Sequence, residues 1–268
     1  LSPASLPKHG SGFDVAIAVA TLATDGYLDL ASLARTVHIG ELGLDGRLRP
    51  VSGVLPAVVA AARAGLTHVV VPRANEDEAR LVEGMTVIGA VTLGDVALWH
   101  GAELEPSNLA PVPAAVVPAP RAFAGDLSEV IGQHEAVDAL VTAAAGGHHL
   151  LMCGPPGAGK TMLASRLPGI LPDLDDAAAL EVSSIRSLSG IGINGLVREP
   201  PFESPHHSAS VAALVGGGSR VVRPGAIARA TNGVLFLDEA AEFASSALDA
   251  LRQPLETGAI TIHRSGVT

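Results

Sequence analysis

Apolar residues along the first hundred positions follow two spacings, one typical of helices and one typical of strands. Residues 13–23 and 54–64 carry apolar side chains at helical spacing, and a glycine lies within three residues of each end, so both are predicted helices. The continuously apolar runs at 68–71 and 86–91 predict buried strands. Asp45-Gly46 lies between two shorter strand-like runs, residues 37–42 and 47–49, and predicts a β-hairpin.

The pattern divides the chain into three parts. The alternation of helices and strands predicts an α/β or α+β domain over residues 1–102. Residues 103–122 are rich in Pro and Ala without periodicity, which predicts an extended, semi-rigid linker. Residues 123–268 form the second predicted domain, in which an Ala-rich helix at 134–145 precedes a strand at 149–153.

The strand predicted at 149–153 leads into a glycine-rich loop, G-P-P-G-A-G-K-T, which matches the P-loop pattern G-x-x-x-x-G-K-[ST]. Apolar helix formers follow from Met162, so the motif has the strand–loop–helix context that phosphate binding requires. Lys160 is predicted to reach the β- and γ-phosphates of ATP, and Thr161 to place its hydroxyl on Mg²⁺. The predicted nucleotide-binding residues are Gly154, Pro155, Pro156, Gly157, Ala158, Gly159, Lys160, Thr161 and Met162.

A second motif supplies the carboxylates that hydrolysis needs. Residues 233–239 read G-V-L-F-L-D-E, an apolar strand followed by two acids, which has the form of a Walker B motif. Asp238 is predicted to bind Mg²⁺ together with Thr161. Glu239 is predicted to orient and polarise the attacking water, which makes Glu239 and Lys160 the predicted catalytic residues.

Composition narrows the classes of protein without changing this interpretation. Hydrophobic residues make up 48% of the chain, which suits a folded core, and no apolar run is long enough to span a bilayer, so a cytoplasmic location is expected. The net charge of −10 gives no indication of the clustered Lys and Arg residues by which proteins bind the phosphates of nucleic acids. Cys153, the single cysteine, lies in a predicted strand and is expected to be a buried, inert thiol. Leu1 at the first position indicates an internal fragment.

Several short motifs in the second domain identify a family. D-x-x-x-x-x-G-Q at 126–133, P-H-H-S-A-S at 205–210, R-P-G at 223–225 and L-R-Q-P-L-E at 251–256, with the Walker motifs, resemble the magnesium-chelatase-like AAA+ ATPases, in particular their ComM-like branch. The resemblance implies a three-layer α/β core, ATP and Mg²⁺ as cofactors, a homo-hexameric ring, and DNA branch migration during recombination. It also implies that sensor residues, the arginine finger and the helical lid lie beyond Thr268, so weak hydrolysis is expected from these residues alone.

The first domain resembles the proteolytic domain of Lon-type proteases, a fold like domain 2 of ribosomal protein S5, through P-K-H-G-S-G-F-D at 7–14 and P-V-S-G-V-L-P-A-V at 50–58. Aligned on that family, Gly12 occupies the place of the serine nucleophile and Leu55 that of the dyad lysine. A serine–lysine dyad needs both groups, so the domain is expected to be inactive. A pair formed by Ser11 and Lys8 stays open as a second possibility.

The sequence is also compatible with different roles for the ATPase and for several of its side chains. The ATPase could be a chelatase-type subunit that remodels a metal-insertion partner instead of a DNA motor. His206-His207 could bind a metal ion, although no Asp or Cys lies at ligand spacing, or could form a polar switch or subunit contact near the γ-phosphate. Arg223 and Arg252 could each reach a neighbouring subunit's nucleotide or simply be solvated.

Overall fold

The structure, a computed structural model, describes residues 10–114, 125–217 and 223–258. These residues form two compact units. The first contains residues 10–114 and 183–196, and the second contains the remainder. Residues 183–196 lie between the two Walker motifs in the sequence, yet they pack with the first unit, which the sequence pattern did not predict.

The helices and strands lie close to the predicted positions in the first unit. Its helices are α1 (Asp14–Thr24), α2 (Leu30–Leu33), α3 (Val54–Arg63), α4 (Glu76–Ala79) and α5 (Leu93–Trp99), and its strands are β1 (Thr36–His38), β2 (Glu41–Leu42), β3 (Leu48–Arg49), β4 (His68–Pro72) and β5 (Thr86–Ala90). The second unit contains α6 (His134–Gly146), α7 (Lys160–Ala164), α9 (Val211–Val215), α10 (Ala226–Arg229) and α11 (Ser245–Thr257), with β6 (Phe202–Glu203), β7 (Gly216–Gly217), β8 (Arg223–Pro224) and β9 (Val234–Leu235). Helix α8 (Asp176–Leu188) begins in the second unit and ends in the first.

A parallel sheet of order β1-β4-β5 forms the centre of the first unit. Residues 69–72 of its middle strand are apolar and buried because both faces are covered, as is usual for parallel sheets. Val70 packs on one face with Val15 and Val19 of α1 and with residues of α5. Val69 and Val71 point to the opposite face and pack with residues of α3 and α4. The first unit is therefore a small three-layer α/β arrangement.

The predicted hairpin is confirmed in shorter form. Strands β2 and β3 pair antiparallel around Asp45-Gly46, and Gly46 takes a positive φ of 79°. The sequence assigned residues 37–42 to one strand of this hairpin, but Val37 and His38 belong to the parallel sheet instead. Gly40, with φ of 154°, separates the two strands, and its amide donates to the carbonyl of Gly12 over 3.0 Å.

The second unit has less regular structure than the sequence predicted. The strand predicted at His149–Cys153 is absent, because a parallel strand needs a neighbour and no described residue pairs with this segment. Leu151 is 84% exposed and Cys153 is exposed as well, so the prediction of a buried thiol is wrong. Walker B residues 234–235 do form a strand, β9, paired in parallel with β6.

Other predicted segments fall partly or wholly outside the described residues. Residues 103–114 of the predicted linker have no regular secondary structure, and residues 115–124 are not described. Residues 259–268, at the end of the second predicted domain, are not described either. None of the helices in the described ranges is long and apolar enough to cross a membrane.

Two histidines form a buried polar contact in the first unit. His38 of β1 and His100, just after α5, approach through their Nε2 atoms at 2.8 Å, and the Nδ1 atom of His100 lies 2.8 Å from the Ser32 hydroxyl. Burial lowers the pKa of His38 to about 4, with a smaller contribution from His100. Burial also lowers the pKa of His100. Both rings are therefore neutral in the folded protein near neutral pH.

This pair predicts how stability depends on pH. Between the ordinary histidine pKa of 6.5 and the folded value of about 4 for His38, the unfolded chain binds more protons than the folded one. The free energy of unfolding should therefore fall as pH decreases through that window, and the His38→Gln variant should show a shallower fall. Urea unfolding at several pH values measures this, and identical slopes for the two proteins would contradict the assignment.

Candidate functional site

The glycine-rich loop of residues 154–159 leads directly into helix α7, which begins at Lys160. Gly157 and Gly159 have φ of 79° and 84°, a left-handed conformation that costs other residues about 1–2 kcal/mol. The Lys160 ammonium donates to the loop's own carbonyl oxygens, at 2.9 Å from Gly154 and 3.0 Å from Pro155. The glycines therefore make the conformation of the loop possible. The Lys160 side chain folds back onto the loop that precedes it.

Asp238 lies three residues beyond the end of β9, next to the core of the second unit. Leu235 and Leu237 pack against a buried cluster formed by Leu214, Ala226, Phe243 and Ala247. This packing fixes the course of the chain that leads to the Asp238 carboxylate. The arginine of α10, Arg229, strengthens the same region through two donors to the Glu203 carboxylate of β6, at 3.0 and 3.1 Å.

The two Walker motifs meet through one hydrogen bond. The Thr161 hydroxyl donates to Oδ2 of Asp238 over 2.8 Å, although the two residues are 77 positions apart in the sequence. The other carboxylate oxygen, Oδ1, accepts from the backbone amide of Glu239 over 3.0 Å. The oxygen atoms of a hydroxyl and a carboxylate thus lie together beside the loop. Hard oxygen donors of this kind are the ligands that Mg²⁺ prefers, so the residues fit that ion.

Glu239 lies at the turn that follows Asp238. Its backbone has φ of 52° and ψ of 48°, a left-handed conformation that is uncommon for a residue other than glycine. Strain of this kind is concentrated at functional sites. The Glu239 carboxylate is exposed, and its Oε2 atom lies 3.5 Å from Nδ1 of His207.

Arg166, which the sequence analysis did not single out, connects the start of the nucleotide-binding half to α7. Its Nε donates to the Asp126 carbonyl, its Nη1 to the Met162 carbonyl and its Nη2 to the Glu129 carboxylate. Each of these three distances is 3.0 Å. The pKa of the Asp126 carboxyl lies below its ordinary value, chiefly because Ser128 hydrogen-bonds to it, with the charge of Arg166 a smaller cause. The sequence feature that could have drawn attention to Arg166 is its charge, since residues 162–171 are otherwise uncharged.

The segment anchored by Arg166 is also joined to the P-loop. Gln133, the last residue of the D-x-x-x-x-x-G-Q motif, donates from Nε2 to the carbonyl of Ala158 over 3.2 Å. Ile131 between these anchors is 92% exposed. The structure thus places the last residue of this motif beside the loop.

The remaining candidate side chains have local partners. The rings of His206 and His207 are 4.0 Å apart, and Nδ1 of His206 contacts the Ser208 hydroxyl at 2.8 Å. Within the described ranges, no three His, Cys, Asp or Glu residues are grouped as a metal site would require. Arg252 lies 3.5 Å from Asp249 on the same helix, in an exposed contact of small energetic value.

The residues discussed for peptidase activity belong to the first unit. Leu55, at the place of the dyad lysine, is completely buried. Its amide donates over 3.0 Å to the Glu78 carboxylate, which also accepts from the Ser187 hydroxyl. The Ser11 hydroxyl donates to the Glu41 carboxylate, and Lys8 lies outside the described residues.

Comparison with known proteins gives two family matches. Residues 126–268 match the family described as magnesium chelatase, subunit ChlI, and residues 1–75 match the family described as subunit ChlI of Mg-chelatase. The two matches fall on the two halves that the sequence pattern separates.

Curated relatives align over nearly the whole chain. An uncharacterized protein of Mycobacterium tuberculosis is 52% identical over 98% of this chain and 52% of its own length. The competence protein ComM of Haemophilus influenzae is 46% identical over 99% of this chain and 52% of its own length. The protein YifB of Escherichia coli is 45% identical over 99% of this chain and 51% of its own length. The chain therefore spans about half the length of the curated relatives it matches.

A shorter match covers about a third of the chain. The archaeal Lon protease of Pyrococcus abyssi is 36% identical over 90 residues, which is 33% of this chain and 8% of that protein. The Lon-like interpretation of the first unit stays a prediction.

Proposed function

This chain belongs to the magnesium-chelatase-like family of ComM and YifB, and from that membership we propose that its second half is the ATP-binding and ATP-hydrolysing core of an AAA+ motor. The observation that carries the proposal is the 2.8 Å contact between Thr161 and Asp238. This contact brings the hydroxyl of the P-loop and the carboxylate of the Walker B motif together. If the glycine-rich segment were only an ordinary turn before a helix, there would be no reason for these two groups to meet.

Each side chain at this point has a proposed role. Lys160 binds the β- and γ-phosphates, and Thr161 and Asp238 hold Mg²⁺ through their oxygen atoms. Mg²⁺ bound with ATP neutralises negative charge on the phosphates. Glu239 accepts a hydrogen bond from the attacking water and orients it in line with the γ-phosphate. Gly157 and Gly159 keep the loop backbone in the conformation that lets its amides face the phosphates.

The wider role rests on relatives and is also proposed. ComM is named a competence protein, and by that likeness we propose a homo-hexameric motor that moves on DNA during recombination. Because the net charge of −10 is unfavourable for contacts with DNA, we propose that these contacts come from basic elements in the half of the relatives' length that this chain does not span. The first unit would serve as a Lon-like accessory module without peptidase activity, since Leu55 offers no amine to activate a serine.

The Glu239→Gln variant of the full-length protein should separate binding from hydrolysis. Glutamine keeps the size of the side chain but cannot act as a base, so phosphate release should fall by about 10²- to 10⁴-fold. ATP affinity, measured by fluorescence titration of a labelled nucleotide, should stay within about threefold, because Glu239 does not contact the phosphates in the proposed arrangement.

Glu242→Gln is the matched control for that experiment. Glu242 is an exposed acid three residues further along the same turn, and its substitution should leave phosphate release unchanged. Equal losses in both variants, or unimpaired hydrolysis by Glu239→Gln, would contradict the role given to Glu239.

ATP hydrolysis by the full-length protein with different partners distinguishes the motor from a chelatase-type subunit. The proposal expects phosphate release to rise when forked or four-way DNA is added. No response to any DNA would count against the motor, and a response only to a tetrapyrrole-binding protein would support the chelatase role suggested by the name of the matched family. Lys160→Ala, which removes the phosphate contact, should abolish the response to either partner.

A further inference from the structure

We infer that helix α8 connects the first unit to the Walker B segment, so that docking of its last turn supports ATP hydrolysis. Residues 176–182 of this helix belong to the second unit and residues 183–188 to the first, although the helix is continuous. The inference rests on the proposed ATPase function and gives the first unit a part in it. The connection consists of two side-chain hydrogen bonds on α8, one at Glu181 and one at Ser187.

The last turn of α8 is held by the carboxylate of Glu78. The buried Ser187 hydroxyl donates to Oε1 of Glu78, which also accepts from the Leu55 amide over 3.0 Å. The other oxygen, Oε2, accepts from Nδ2 of Asn75 over 3.1 Å, and the Asn75 side chain is bonded to both backbone groups of Val51. Ser187 therefore meets an acceptor whose position is determined by other contacts within the first unit.

Backbone contacts support the same docking. The Ser187 carbonyl accepts from the Gly53 amide over 3.1 Å and from the Gly190 amide, which ends the helix, over 3.0 Å. A Cβ atom on Gly53 would lie 3.0 Å from Cδ2 of Leu188, and Gly53 has a left-handed φ of 81°. Position 53 thus favours glycine both for its conformation and for the close approach of α8.

The other hydrogen bond of the connection lies in the second unit. The Asn232 side chain donates from Nδ2 to the Glu181 carboxylate over 2.8 Å. Asn232 has a left-handed φ of 57°, and β9 begins two residues later, at Val234. Glu181 and Ser187 are about 9 Å apart along the helix, and their two bonds have different partners. Because a helix is a rigid element, α8 carries the restraint at Ser187 to the start of the Walker B strand.

Two pairs of substitutions cut the connection at either bond. Ser187→Ala removes the hydroxyl that bonds to Glu78, whereas Ser189→Ala removes one that bonds within its own helix over 2.8 Å. Glu181→Ala removes the acceptor of Asn232, whereas Glu181→Gln keeps an oxygen that can accept the same bond. Glu181 is exposed, so its substitution leaves buried packing intact.

Hydrogen exchange followed by mass spectrometry measures the docking in the full-length protein. The amides of residues 187–194 should exchange about tenfold faster in Ser187→Ala, because local opening no longer breaks the bond to Glu78. Ser189→Ala should leave these rates within about twofold of the unaltered protein. Helix α6 should exchange equally in all variants and serves as the internal reference.

Steady-state ATP hydrolysis by the same proteins measures the connection. Ser187→Ala and Glu181→Ala should each lower kcat about threefold and leave KM for ATP within about twofold, since neither residue belongs to the P-loop or to the predicted Mg²⁺ ligands. The double variant should be no slower than either single variant, because a connection cut at one bond transmits nothing that a second cut can remove. Glu181→Gln and Ser189→Ala should hydrolyse ATP at the unaltered rate.

The outcomes separate this inference from the proposed function. A loss of about ninefold in the double variant would show two independent effects and overturn the inference. It also fails if Ser187→Ala leaves hydrogen exchange unchanged, or if it speeds exchange without lowering kcat. In these cases the unaltered protein still hydrolyses ATP, and the proposed nucleotide site stands. If the unaltered protein does not hydrolyse ATP, the proposed function fails and takes this inference with it.

Discussion

The hydrogen bond between Thr161 and Asp238 is the contact on which the candidate site depends. It joins the first helix after the glycine-rich loop to the end of the Walker B strand over 2.8 Å, and no sequence-local force would bring these residues together. The core that makes this possible is apolar: Leu235 and Leu237 hold β9 against buried Leu214 and Phe243. Without that packing, the Asp238 carboxylate would have no fixed position relative to the loop. Packing thus determines where the chemistry can occur.

Apolar packing also organises the first unit, although the described centre of that unit holds no proposed catalytic group. Val70 and its neighbours Val69 and Val71 alternate between two apolar layers, so the sheet is covered on both faces. Leu55, which the sequence resemblance aligns with the lysine of Lon-type proteases, is completely buried. The partly buried contact between His38 and His100 is the polar feature of this unit with the largest pKa shift, and it keeps both rings neutral near neutral pH. These features fit a domain retained for its structure, which agrees with the accessory role proposed for it.

The sequence predicted some features well and others poorly, for physical reasons. Helices α1, α3 and α6 were predicted because local spacing and closing glycines determine them. The strand at 149–153 was not realised, because an apolar run becomes a strand only when neighbours pair with it. The docking of residues 183–196 on the first unit depends on tertiary contacts of Ser187 and Gly53 that no local pattern encodes. The Walker motifs are recognisable in the sequence because phosphate and Mg²⁺ chemistry restricts which side chains serve, and the roles of their residues stay predictions. The contacts of Arg166 are largely with backbone carbonyls and leave little trace in a motif.

The central claim is that Thr161 and Asp238 together hold Mg²⁺ beside the P-loop. Calorimetric titration with ATP, with and without Mg²⁺, tests it most directly in the unaltered protein, Thr161→Ser and Thr161→Val. The unaltered protein and Thr161→Ser, which keep the hydroxyl, should bind ATP more tightly when Mg²⁺ is present. Thr161→Val has nearly the same shape without the hydroxyl and should lose most of that gain while binding metal-free ATP about equally well. An equal gain from Mg²⁺ in all three proteins would contradict the account.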